Sequence, residues 1–173
     1  VCSSDLTRAG YESAPYKVVR SEGRFEVRDY PVLTVVETPT QGAAANGGFN
    51  RLFRFITGGN ESSQKIAMTT PVFMSGRESN ATMAFVMPSA MKAGDVPKPR
   101  DPALRVRELE GGRYAVHRFR GGRNPEREAE SLQRLQKWML AQGMQALSEP
   151  TYGYFDPPWT PAFLRRNEVM VKT

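Results

Sequence analysis

Between residues 46 and 56 large apolar side chains recur at helical spacing. Phe49, Leu52, Phe53 and Ile56 stand at i, i+3, i+4 and i+7, which places them on one face of a helix. Ala43 to Ala45 are strong helix formers just ahead of it, and Gly58-Gly59 supply a stop. A polar turn over residues 60–64 follows, then an extended piece from Lys65 into Thr70-Pro71. Each glycine inside a helix costs about 1 kcal/mol relative to alanine. The pair Gly47-Gly48 therefore implies close approach to the backbone, either by something flat or by a sheet on which the helix packs.

Elsewhere the period is two. Residues 25–30 and 32–38 read as strands separated by Pro31, with alternation in Phe25, Val27 and in Val32, Thr34, Val36. Residues 71–75 and 81–87 read as strands around a turn at 76–80, and the proline-rich stretch 89–102 as a long loop. The order then repeats. Residues 104–110 alternate apolar with charged, Gly111-Gly112 predicts a hairpin turn, and 114–119 its partner strand. A second helix has Asn124 as N-cap and Pro125 at its first position, acidic residues near its positive end, and Arg134 and Lys137 further on. Its buried face is expected to be Ala129, Leu132, Leu135 and Met139, with Gly143 ending it. Residues 151–156 and 167–172 are the last strands. Each half reads strand-strand-helix-strand-strand. The expected fold is α+β, a pseudo-twofold distorted eight-stranded β-barrel with two helices.

Composition narrows this further. A chain of 173 residues, 39% hydrophobic and 24% charged, suits one soluble domain, and no apolar run approaches a bilayer span. The net charge of +6 comes with 18 Arg against 6 Lys, which permits an anionic ligand. Residues 1–10 are set aside as a lead-in. VCSSDL resembles adaptor read-through of the kind met at the ends of metagenome-derived sequences, which removes Cys2, the sole cysteine, from consideration. The native N-terminus is then expected to be missing, and the compartment, cytoplasmic, periplasmic or secreted, stays open. Residues 11–173 form the expected single domain, a monomer.

Three stretches carry a family resemblance. FNRLFRFITGGN followed by KIAMTTPV is similar to the first signature of the SOUL haem-binding family, and GYFDPPWTPAFLRRNEVMV to its second; FEVRDYP with VVET is a weaker third. The resemblance implies a tetrapyrrole, haem or a related porphyrin, bound reversibly in a hydrophobic cleft beside the first helix by a buffer, carrier or sensor. By position it implicates Asn46, Phe49, Phe53 and Arg54, with Phe85, Met87 and Tyr154 on strands that could face the helix. Arg54 is the expected partner of a propionate, because a guanidinium fork fits a carboxylate. Some members carry His where Asp29 stands here, and a carboxylate is a poor replacement for imidazole on haem iron. Hydrophobic capture needs no iron ligand.

The remaining chemistry is sparse. There is no His-Glu-x-x-His, Gly-x-Ser-x-Gly or phosphate-cradling Gly-Lys-Ser/Thr pattern. His117 is the sole histidine, expected to be a hydrogen-bonded or exposed strand residue and not an iron ligand. Asn60-Glu61-Ser62 and Asn80-Ala81-Thr82 match glycosylation sequons. No nucleic-acid partner is expected, because the arginines are not interleaved with aromatics in a run. The competing reading is a small-molecule hydrolase or drug-sequestering module. The expected barrel resembles the effector-binding domains related to DNA gyrase inhibitors, some of which act through a pocket carboxylate. One of Glu26, Glu37 or Glu168 would then point into the cleft with a raised pKa.

Overall fold

The first half of the chain contributes short strands Thr7–Arg8 (β1) and Tyr11–Ser13 (β2), then Lys17–Glu22 (β3), Phe25–Tyr30 (β4) and Leu33–Pro39 (β5). Helix α1, Ala45–Ile56, follows, and then Thr69–Thr70 (β6), Val72–Ser75 (β7) and Thr82–Val86 (β8). The second half comprises Arg105–Leu109 (β9), Gly112–Arg120 (β10), helix α2 at Pro125–Ala141, Thr151–Tyr154 (β11) and Arg166–Lys172 (β12). These positions come from a computed structural model that describes residues 7–8, 10–40, 45–77, 80–157 and 159–173. Most of the set-aside lead-in lies outside the described residues, as do Ala43 and Ala44. Thr7–Arg8, inside that lead-in, pairs with β2, and β2 runs parallel to β6.

Nine strands form one curled antiparallel sheet in the order β3-β4-β10-β12-β11-β7-β8-β5-β9. Leaving out β3, exchange β4 with β9, β5 with β10, β7 with β11 and β8 with β12. The order reverses and is otherwise unchanged, with the centre of exchange between β11 and β7. The repeat seen in the sequence is therefore a property of the sheet, and β3 is an addition to it.

The expected hairpin around Gly111-Gly112 does not form. β9 pairs with β5, whereas β10 pairs with β4 and β12. The connection from β9 to β10 crosses the one from β4 to β5. A Cβ on Gly111 would lie 2.8 Å from the Tyr30 carbonyl oxygen and 2.9 Å from the Pro31 carbonyl carbon, so only glycine fits. These crossed links draw the two ends of the sheet together. Alternation alone cannot tell a hairpin from a crossover, because both need a strand, a break and a strand.

Both helices lie on one face of the sheet. Under α1 the core holds Val36, Met74, Met83, Phe85 and Met87; under α2 it holds Val27, Ala115, Val169 and Val171. The opposite face buries Tyr30, Leu33, Val35, Phe73, Val86, Val116 and Met170. β5 is thus buried on both faces, Val35 on one and Val36 on the other, while Val32 is exposed. The expected alternation through Val32, Thr34 and Val36 fails for that reason.

Helix α2 begins as its cap dictates: the Asn124 side chain accepts from the backbone N–H of Glu126 at 2.8 Å and of Arg127 at 3.3 Å. Its buried residues are Ser131, Leu132, Leu135, Trp138 and Met139. Ala129, expected inside, is exposed; the bulk of Trp138 turns the buried stripe toward its own side of the helix. No helix among the described residues is long and apolar enough to cross a membrane.

Candidate functional site

The buried stripe of α1 is rotated from the one its spacing suggested. Leu52 and Phe55 are fully buried and Ile56 nearly so, whereas Phe53 is 47% exposed. Gly48 explains the rotation. A Cβ there would sit 3.0 Å from Thr40 Cγ2 and 3.5 Å from Thr38 Cγ2, so the helix meets the end of β5 along its glycine side. The close approach at Gly48 is thus helix-on-sheet packing. Gly48, Leu52, Phe55 and Ile56 share that side at i, i+4, i+7 and i+8.

Phe53 is left at the surface, and it is not isolated. Its ring stacks on Phe49 at 6.0 Å and 12°, and Phe49 meets buried Phe85 edge-on at 5.5 Å and 66°. An aromatic series thus runs from solvent through half-buried Phe49 into the core. Met87 is buried in the same cluster, so Phe85 and Met87 are its floor and not its surface. Arg54, one residue on from Phe53, is exposed in the last turn of α1, and its side chain has no ion pair among the described residues. The side chain of Asn46 lies outside the described residues.

Tyr154 also packs against this cluster, but its hydroxyl bonds the Glu128 carboxylate of α2 and Arg123 lies 5.6 Å over its ring. Burial, and then Glu128, push its pKa well up, so the phenol stays protonated. An iron-ligating tyrosine would have to lose that proton. Asp29 is engaged too. Arg113, across the β4–β10 pairing, donates to it through Nε at 2.8 Å and Nη2 at 2.9 Å, which lowers its pKa.

The three carboxylates of the hydrolase reading are all paired. Glu37 meets Arg107 at 3.0 Å. Glu26 accepts from Arg28 Nε at 2.6 Å and lies 2.8 Å from Arg118. Glu168, fully buried, accepts both ends of the Arg28 fork at 2.7 and 2.8 Å, and Arg166 Nε at 3.0 Å. Burial by itself would raise the Glu168 pKa; Arg28 and Arg166 reverse this and hold it below the usual carboxylate range. Arg28 is itself fully buried, with Tyr30 OH at 3.0 Å and the Tyr16 ring at 4.0 Å. Sequence reading did not single out Arg28. The signal was present in Phe-Glu-Val-Arg-Asp-Tyr, where Glu26, Arg28 and Tyr30 alternate onto one face.

Asn60, too, serves the fold. It is fully buried, donates to the carbonyls of Phe55 at 3.0 Å and Gln64 at 2.8 Å, and accepts from Gln64 N–H at 3.0 Å. Its sequon is closed to modification in the folded chain. A further feature that periodicity does not show is the exposed trio Trp159, Phe163 and Leu164 between β11 and β12.

His117 is buried, not exposed. Its Nδ1 is 2.6 Å from Ser131 Oγ on α2, and its ring stacks on Phe25 at 4.6 Å. Burial, then the charges of Arg134 and Arg24, push its pKa from 6.5 to about 4. Between those values the unfolded chain binds the extra proton, so stability falls as pH falls and its full contribution is present only above 6.5. Urea unfolding is expected to show a loss of about 2 kcal/mol between pH 7 and pH 5 from this group. His117→Gln should flatten that slope; an unchanged slope would rule out the assignment.

An antiparallel curled sheet made of two exchanged halves, each with one helix on the same face, defines an α+β half-barrel class. The chain belongs to the SOUL heme-binding protein family, which matches residues 11–172. It is 29% identical to human heme-binding protein 2 over 170 residues, covering 90% of this chain and 81% of that protein. In fold it is similar to the C-terminal domain of EcmrR, with a TM-score of 0.65 at 10% identity, covering 91% of this chain and 96% of that one. A hydrolase from Listeria innocua has the same fold, with a TM-score of 0.60 at 9% identity over 88% and 93% of the two chains.

Proposed function

We propose that this protein binds haem or a related tetrapyrrole reversibly beside α1, as a buffer, carrier or sensor and not as an enzyme. The observation that carries the reading is Phe53, half exposed yet stacked on Phe49 and backed by Phe85. A surface aromatic held in that way offers a flat apolar ligand an ordered face at little entropic cost. Arg54 is placed on the same helix with its guanidinium available for a propionate. Membership in the family and the likeness to human heme-binding protein 2 support the ligand class.

Capture here rests on apolar contact and not on iron. Near α1, Tyr154 keeps its proton and Met87 is buried, while His117 belongs to the α2 side. Hemin and metal-free protoporphyrin are accordingly expected to bind within about tenfold of each other, a difference below about 1.4 kcal/mol. Titration followed by visible absorption and fluorescence quenching checks this. Tight hemin binding with no porphyrin binding would show that coordination dominates. His117→Ala is expected to leave the bound-haem band where it is. The hydrolase reading needs a pocket carboxyl with a raised pKa, and Glu168 is shifted the other way.

A further inference from the structure

An open cavity lies beside the other helix, where the turn between β3 and β4 meets α2. It has a volume of about 460 Å³, and its lining includes Phe25, Trp138, His117, Arg24, Arg134 and Glu22. That volume falls in the range of small-molecule sites. Phe25 is stacked between the His117 ring at 4.6 Å and the Trp138 ring at 5.0 Å, which makes a rigid aromatic wall.

Two guanidiniums and one carboxylate line this cavity. The Ser131 hydroxyl is buried, and among the described residues the acceptor it meets is His117 Nδ1, at 2.6 Å. In the tautomer where Ser131 donates to Nδ1, the neutral imidazole carries its own proton on Nε2. His117, 4% exposed, lines the cavity with its ring. The Arg24 side chain has no ion pair among the described residues. Arg134 shares an exposed pair with Glu130, and exposed Glu22 accepts the Trp138 indole N–H at 3.1 Å through one oxygen while keeping its charge. The two guanidiniums are felt inside, since Arg134 and Arg24 both help to keep His117 neutral.

We propose that this cavity is a binding site, separate from the α1 face, for a small aromatic carboxylate. Arg24 and the Nε2–H of His117 donate to the carboxylate, with Arg134 adding charge, and the ring lies against Phe25 and Trp138. Charge-assisted donation supplies the preference for an anion. The aromatic wall supplies the preference for a ring over a bare inorganic ion.

The sole histidine makes the test direct, because its imidazole ¹⁵N and ¹H resonances belong to His117 alone. Benzoate added to the full chain is expected to shift them saturably and to perturb Trp138 fluorescence in a Trp159→Phe background. Benzamide, which lacks the charge, and acetate, which lacks the ring, should bind at least about tenfold more weakly. Arg24→Ala, at an exposed position, should weaken benzoate about tenfold while the ligand-free His117 resonances stay in place. Phe53→Ala should leave benzoate binding intact, so the site stands or falls independently of tetrapyrrole capture. His117 resonances unmoved by benzoate, or moved equally by acetate and benzamide, would overturn the proposal.

Discussion

Glu168→Ala is expected to lower the unfolding free energy by about 3–5 kcal/mol, read from urea denaturation at neutral pH. Glu168 is fully buried and takes two hydrogen bonds from Arg28, which is fully buried itself. Without it Arg28 keeps Glu26, the Tyr30 hydroxyl and the Tyr16 ring, too little for a guanidinium that has no water. The exposed pair Arg134–Glu130 gives the contrast, since Arg134→Ala should cost no more than about 0.5 kcal/mol. Replacing both partners, Arg28→Met with Glu168→Leu, should recover part of the loss, because the two fully buried charges leave together while Glu26 keeps Arg118 and half-buried Arg166 keeps the Tyr16 hydroxyl. The pH dependence has a defined sign. A carboxyl held below 4.5 in the fold contributes stability above 4.5 and loses it as pH falls through the folded value. A Glu168→Ala protein within about 1 kcal/mol of the parent would sink this account of the network.

Two phenylalanines two residues apart on α1 should behave in opposite ways. Phe55 is fully buried in the core beneath the helix, so Phe55→Ala is expected to cost about 3–5 kcal/mol of stability. Hemin binding by its folded fraction should stay near that of the parent. Phe53 is 47% exposed, so Phe53→Ala should cost about 1 kcal/mol or less and weaken hemin binding at least about tenfold. Thermal unfolding separates the stabilities, and hemin titration at matched folded protein separates the affinities. Equal hemin affinity in Phe53→Ala and the parent would move the site off this helix face.

The corrections on α1, at the β9–β10 link and at Asn60 have a common origin. Helical spacing identified α1 and gave Leu52 and Ile56 as buried, but it could not choose between Phe53 and Phe55 for the rest of the stripe. That choice depends on which side of the helix carries Gly48, and on Thr38 and Thr40 being there to receive it. Asn60 read as a turn residue, and its burial follows from carbonyls at Phe55 and Gln64 that only the folded turn brings together.

By itself the sequence determined the elements, their repeat and the caps. Period-two and period-3.6 patterns, Asn124 with Pro125, and Gly58 and Gly143 at positive φ are local, because each acts within about one helical turn or one strand. Its long motifs also carried the family, with every expected strand and both helices found in order. Tertiary structure alone decided what depends on pairing between distant segments. It sent β9 to β5 and β10 to β4, buried β5 on both faces, and brought Glu168 to Arg28 across 140 residues. It also set the His117 ring against an open cavity between the β3–β4 turn and α2. These follow from which strands lie side by side, and a strand's own alternation says which residues share a face without saying what that face will meet.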